Sequence, residues 1–136
     1  MRRIFKTLFF MTALLPLGTL AKISVTNPII FATQQAGEPP AVFMELHNDG
    51  NEAVNLAMVQ SSQPANLVLH GTQNGKMITT DGIEIPAKGN VKLKPGGLHI
   101  MVFDSATALQ AGGHFPLMLL FDNGEKIQVK ANVVKY

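Results

Sequence analysis

The chain has 136 residues, 46% of them hydrophobic and 15% charged, with no Cys and no Trp. That composition describes one globular domain rather than a disordered segment. The absent cysteines exclude a disulfide scaffold, a zinc ribbon, an iron–sulfur cluster, thiol catalysis, a thiolate blue-copper centre and a thiol-anchored lipid. The formal charge of +2 comes from Arg2, Arg3 and Lys6; without them eight basic residues face nine acidic ones, and nothing points to nucleic acid as a partner.

Residues 1–21 have basic residues first, then an apolar stretch from Leu8 to Leu17, then Thr19-Leu20-Ala21. This is the three-part pattern of a secretory signal peptide, with small residues at the two positions that fit a cleavage pocket. The apolar stretch is about half of the ~20 residues that span a bilayer, and Pro16 interrupts it. Cleavage after Ala21 is expected to leave one domain, residues 22–136, of 115 residues, enough to bury a core without covalent staples.

From there the chain reads as β. The stretch from Gln34 to Pro40 is a loop before the first strong strand, Ala41–His47, which Asn48-Asp49-Gly50-Asn51 ends as a turn. Ala53–Gln60, Asn66–His70 and Lys76–Thr80 are further strands, the last two joined by a tight turn at Asn74-Gly75. Asn90–Lys94 alternates apolar and polar residues, so one face is buried and one is wet. Pro95-Gly96-Gly97 turns the chain, and Gly96-Gly97 is expected to supply the unusual backbone conformation that the turn needs. Leu98–Phe103 and Phe115–Phe121 are continuous apolar runs expected to be fully buried, and Glu125–Lys130 alternates as the closing strand. Seven or eight short strands at this spacing make an all-β sandwich or Greek-key barrel.

Enzyme motifs are missing. There is no Gly-x-Ser-x-Gly elbow around Ser24, Ser61, Ser62 or Ser105, and no phosphate-cradling glycine loop before a helix. Asp81 and Glu84 read as solvated turn residues. Histidine and methionine remain. On a strand, His99 and Met101 project from one face, with Cα atoms about 6.5–7 Å apart. His70 and Met77 lie on either side of the Asn74-Gly75 turn at comparable heights. Two imidazoles and two thioethers would select Cu(I) over Zn(II), Mg(II) or Ca(II), because thioether is soft and uncharged. Methionines in β-sandwiches are more often core fillers, so spacing alone leaves a secreted β-domain with or without a soft-metal site.

At Leu69-His70, Met77 and Pro95-Gly96-Gly97-Leu98-His99-Ile100-Met101 the sequence resembles the PCu(A)C family of periplasmic copper chaperones. The family pattern is a His, a spacer, a Met, twenty-one residues and then His-x-Met; here residues 78–98 supply the twenty-one. Asp81–Ala87 and Val91–Gly97 resemble the family's stretch between the Met and the second His, and the likeness extends over about residues 41–134. Between His70 and Met77 stand six residues, 71–76, fewer than is usual in the family. The resemblance implies a cupredoxin-like Greek-key β-barrel and Cu(I) ligation by His70, Met77, His99 and Met101. It also implies a periplasmic location, no catalysis, and a copper-accepting partner that is a cytochrome oxidase subunit or its assembly factor. His47 and His114 match no ligand position and are expected on the surface, and Met44, Met58 and Met118 are expected in the core. Two other functions remain open on sequence grounds: a metal-free β-sandwich for protein contact, and copper sequestration rather than delivery.

Overall fold

The computed structural model describes residues 22–135; the expected signal peptide, residues 1–21, lies outside them. Ten strands are formed: β1 (Ile23–Phe31), β2 (Ala41–Asn48), β3 (Val54–Gln60), β4 (Asn66–Gln73), β5 (Lys76–Thr79), β6 (Ile83–Ile85), β7 (Gly89–Leu93), β8 (His99–Phe103), β9 (His114–Phe121) and β10 (Lys126–Val134). The expectation of seven or eight strands therefore falls short. β1 and β6 are the two strands absent from the expected set, and β1 carries Asn27-Pro28 within it. Asn27 takes φ 53, and the pairing of β1 with β2 slips between Thr26 and Ile29. Such a bulge lets a strand carry Asn-Pro and still pair on both sides of it. β6, three residues long, is too short for an alternating pattern.

The strands run β5-β4-β8-β2-β1-β10-β9-β3-β6 through one hydrogen-bonded sheet. β2 is a junction: Ala41 and Val42 pair with β8, and Met44–Asn48 pair with β7. β1 and β10 pair in parallel, and the other pairs are antiparallel. The sheet curls so that inward residues from both ends of this order meet in one core, including Leu69, Ile100 and Val102 at one end and Leu56, Ile83 and Ile85 at the other. Asn48 is buried within it with its polar atoms paired: its amide donates to Glu52 O and Ile85 O, and its Oδ1 accepts Gly50 N–H.

The two continuous apolar runs are not fully buried. In β8, Ile100 and Val102 are wholly enclosed, while Met101 and Phe103 on the opposite face are half-buried; β9 alternates in the same way from Phe115 to Phe121. Both strands keep apolar side chains on the outer face, which makes a half-wet strand read as a buried one. Met44 is core, but Met58 is 52% exposed and Met118 is half-buried. Both sit on the outer face of β3 and β9, where Gln60 stands directly opposite Met118.

Candidate metal centre

β5, β4 and β8 are consecutive neighbours, and their register decides which side chains share a face. Directly opposite residues in an antiparallel pair project to the same side. His70 stands opposite His99, and Val68 opposite Met101. Thr72, two residues on from His70 and so on its face, stands opposite Met77. His70, Met77, His99 and Met101 therefore all occupy the outer face of this three-stranded segment, behind which Leu69, Ile100 and Val102 fill the core. His70 is mid-strand rather than at the strand end. The six intervening residues put Met77 one step beyond His70, on the diagonal, without changing its face.

The imidazoles of His70 and His99 meet edge to face, with centroids 5.6 Å apart and planes at 86°. Phenylalanine rings pack around them: Phe43 lies 6.3 Å from His99, Phe103 5.9 Å from His70, and Phe31 5.8 Å from Phe43. His99 is 5% exposed and Met77 56%. Between them opens a cleft of about 330 Å³, bordered by Phe31, Phe43, Glu38, Met77, His99 and Met101. The 32–40 loop closes one side. It is held by hydrogen bonds from Thr33 N–H to Leu109 O and Gly37 N–H to Ser105 O, and by the Glu38 carboxylate, which accepts Gln34 and Gln35 N–H.

The ring nitrogens are the informative atoms. His99 Nδ1 lies 2.7 Å from Gly97 O. A carbonyl only accepts, so Nδ1 carries the proton and Nε2 is left with its lone pair. His99 Nε2 is buried without a hydrogen-bond partner, and so is His70 Nδ1. Buried polar atoms are almost always paired, so two orphans on facing rings call for a ligand. Burial, and secondarily the neighbouring His99, holds the His70 imidazole below its ordinary value, which keeps its lone pair free at neutral pH. Among the described residues no three His, Cys, Asp or Glu side chains gather into one metal-binding group. The donors present are two imidazoles and two thioethers, a set suited to a soft monovalent ion.

The remaining candidates lie apart. His47 is half-buried rather than fully solvated, with Nδ1 at 2.5 Å from Asn90 Oδ1 and Nε2 at 3.9 Å from Glu45. His114, exposed as expected, begins β9 instead of lying in a turn. Sequence reasoning missed the phenylalanine surround. Phe103 could have been found, since it follows His99 and Met101 at the same two-residue step; Phe31 and Phe43 depend on the pairing of β2 with β8 on one side and with β1 on the other.

A family model described as "Putative lipoprotein LpqE-like" matches residues 23–133. The chain belongs to the LpqE-like family. Among curated relatives, this LpqE-like chain is 33% identical over 93 residues to "Uncharacterized protein RP573" of Rickettsia prowazekii, a match covering 64% of the chain and 51% of that protein. It is 32% identical over 98 residues to "Putative lipoprotein Lxx21020" of Leifsonia xyli subsp. xyli, covering 68% of the chain and 59% of that protein. The chain thus spans little more than half the length of these relatives. The LpqE-like fold is that of PCuAC domains, with a cupredoxin-like β architecture, as the sequence resemblance implied. The copper-bound PCuAC domain from PmoF2 superposes with a TM-score of 0.74 at 21% identity, over 85% of this chain and 94% of that one. The Cu(I) form of DR1885 from Deinococcus radiodurans superposes at 0.67 and 22% identity, over 83% and 76%.

Proposed function

We propose that this LpqE-like protein is a periplasmic copper chaperone that holds one Cu(I) through His70, Met77, His99 and Met101 and releases it by ligand exchange. The observation that carries the reading is the pair of buried, unpartnered ring nitrogens, His70 Nδ1 and His99 Nε2, on the sheet face that also bears Met77 and Met101. Two domains of the same fold are described with copper bound, one as Cu(I), which supports the choice of ion.

The handover follows from the unequal exposure of the ligands. His99 is enclosed and Met77 is open to solvent. An acceptor thiolate enters beside Met77 and displaces its neutral thioether first, while the imidazoles keep hold of the ion until the acceptor has bound. Because the thioethers carry no charge, their loss leaves no uncompensated anion behind. The proposed recipient is the copper centre of a cytochrome oxidase or its assembly factor, and no bond in a substrate is made or broken. The leader-like residues 1–21 support delivery to the periplasm.

The test is an anaerobic Cu(I) competition titration against a chromogenic chelator, using the protein and its His70→Ala, Met77→Ala, His99→Ala and Met101→Ala variants. One tight equivalent weakened in every variant supports the four-ligand centre. A silent Met77→Ala reduces the centre to three ligands. Failure of the parent protein to compete at all leaves a metal-free contact domain as the better account.

A further inference from the structure

The turn before β8 is built around a single left-handed residue. Gly97 N–H donates to Lys94 O at 3.0 Å, and Lys94 N–H donates to Leu98 O at 3.0 Å, closing a loop over residues 94–98. Gly96, at its apex, has φ +83, and a Cβ there would meet nothing within 4 Å. The position therefore demands a backbone conformation and not space. The Gly97 carbonyl that this conformation orients is the one that receives the His99 Nδ1 proton.

We infer that the 94–98 turn is a positioning device for the metal centre: Gly96 sets the Gly97 carbonyl, and that carbonyl fixes His99 as its Nδ1–H tautomer with Nε2 presented to the cleft. The inference rests on the copper reading for its purpose but not for its observable. In water a neutral histidine ring prefers the proton on Nε2, the reverse of what the turn imposes, so without the carbonyl the ring would protonate the atom that is to bind the ion. Gly96 and Gly97 are positioning residues; neither places a side-chain donor near the ion. Outer partners of this kind fix ring orientation and tautomer in metal sites generally.

The test uses uniformly ¹⁵N-labelled, copper-free protein at mildly alkaline pH, where long-range proton–nitrogen correlations of the imidazoles report each tautomer. Two variants separate conformation from composition. Gly96→Asn retains a residue that tolerates the left-handed region, and Gly96→Val introduces a β-branched one that does not. The expected result is Nδ1–H at His99 in the parent and in Gly96→Asn. In Gly96→Val the proton moves to Nε2, with the exposed His114 unchanged in all three as an internal reference. Cu(I) affinity is expected to fall by about tenfold or more in Gly96→Val and to be rescued in Gly96→Asn. If valine unfolds the chain, Gly96→Ala provides the milder strain for the same comparison. An Nε2–H tautomer in the parent, or an Nδ1–H tautomer that persists in folded Gly96→Val, overturns the inference. Absence of Cu(I) uptake by the parent overturns the copper reading instead, and the tautomers are measured independently of it.

Discussion

At Met77 the proposed ligand role and the structural role separate. The side chain is more than half exposed and belongs to no core contact, so Met77→Ala is expected to change unfolding free energy by no more than about 0.5 kcal/mol. The same variant is expected to weaken Cu(I) binding. Ile100, one residue from two of the candidate ligands, is fully buried and faces the core; Ile100→Ala is expected to cost about 2–5 kcal/mol of stability. Urea titration of copper-free protein beside chelator competition distinguishes the two, and equal stability losses in both variants would contradict this division. Individual methionines show what sequence could convey at this scale. Met44, Met58 and Met101 all sit in apolar strands, yet one is core, one is exposed and one faces the cleft. Residue type cannot separate them, because the deciding variable is which strand lies opposite. The His-x-Met step did carry information, since period two alone places His99 and Met101 on one face.

The β4–β5 hairpin is the element that carries Met77, the proposed fourth ligand. Asn74 at φ 53 and Gly75 at φ 77 form its two-residue link, a pair of left-handed residues that suits the strand twist. β5 is the terminal strand of the sheet order, and all four of its residues are exposed, so little beyond this turn and the β4 ladder holds it. Gly75→Val is therefore expected to fray residues 76–79, seen as faster amide exchange there, and to weaken Cu(I) binding while the global melting temperature changes little. Undisturbed exchange in that variant would mean that the turn does not govern the hairpin. A second element-scale prediction concerns β3 and β9. Asp122 accepts both the backbone and the side-chain N–H of Asn55, the backbone bond first in weight, and these hold its carboxyl below the ordinary 3.8. A lowered folded value means that the stabilisation is present above the unfolded value and is lost as pH falls through the folded one. Stability should thus decline from about pH 3.8 downward less steeply in Asp122→Asn than in the parent, as acid titration followed by circular dichroism can show. Elements with strong punctuation were legible: Asn74-Gly75 announced the hairpin, and Pro95-Gly96-Gly97 the turn before β8. β1 was not, because its bulge at Asn27-Pro28 is tolerated only through partners on both sides, β2 and β10.

For the whole molecule, the copper reading makes a thermodynamic prediction. A ligand that binds only the folded state at one hundred times its dissociation constant stabilises it by about 2.7 kcal/mol. The melting temperature should rise by several degrees with Cu(I), and it should not rise in the His99→Ala/Met101→Ala double variant. A parent protein whose melting ignores Cu(I) would favour the contact-domain alternative. The fold class was legible from the density of short apolar runs and turn residues. The topology was not, since nothing local in Ile29–Phe31 specifies a partner about a hundred residues away.

That distant partner sets a timetable. Ile29, Ile30 and Phe31 align in parallel with Asn132, Val133 and Val134, and Phe31 also borders the cleft. A chain delivered from its N-terminal end, by ribosome or by translocation pore, presents β1 first and β10 last. β1 can pair with β2 early, but its second flanking strand arrives only with β10, and pairing across so long an interval is slow to form. On the copper reading, a cleft complete on its Phe31 side is therefore among the last features of the domain to form.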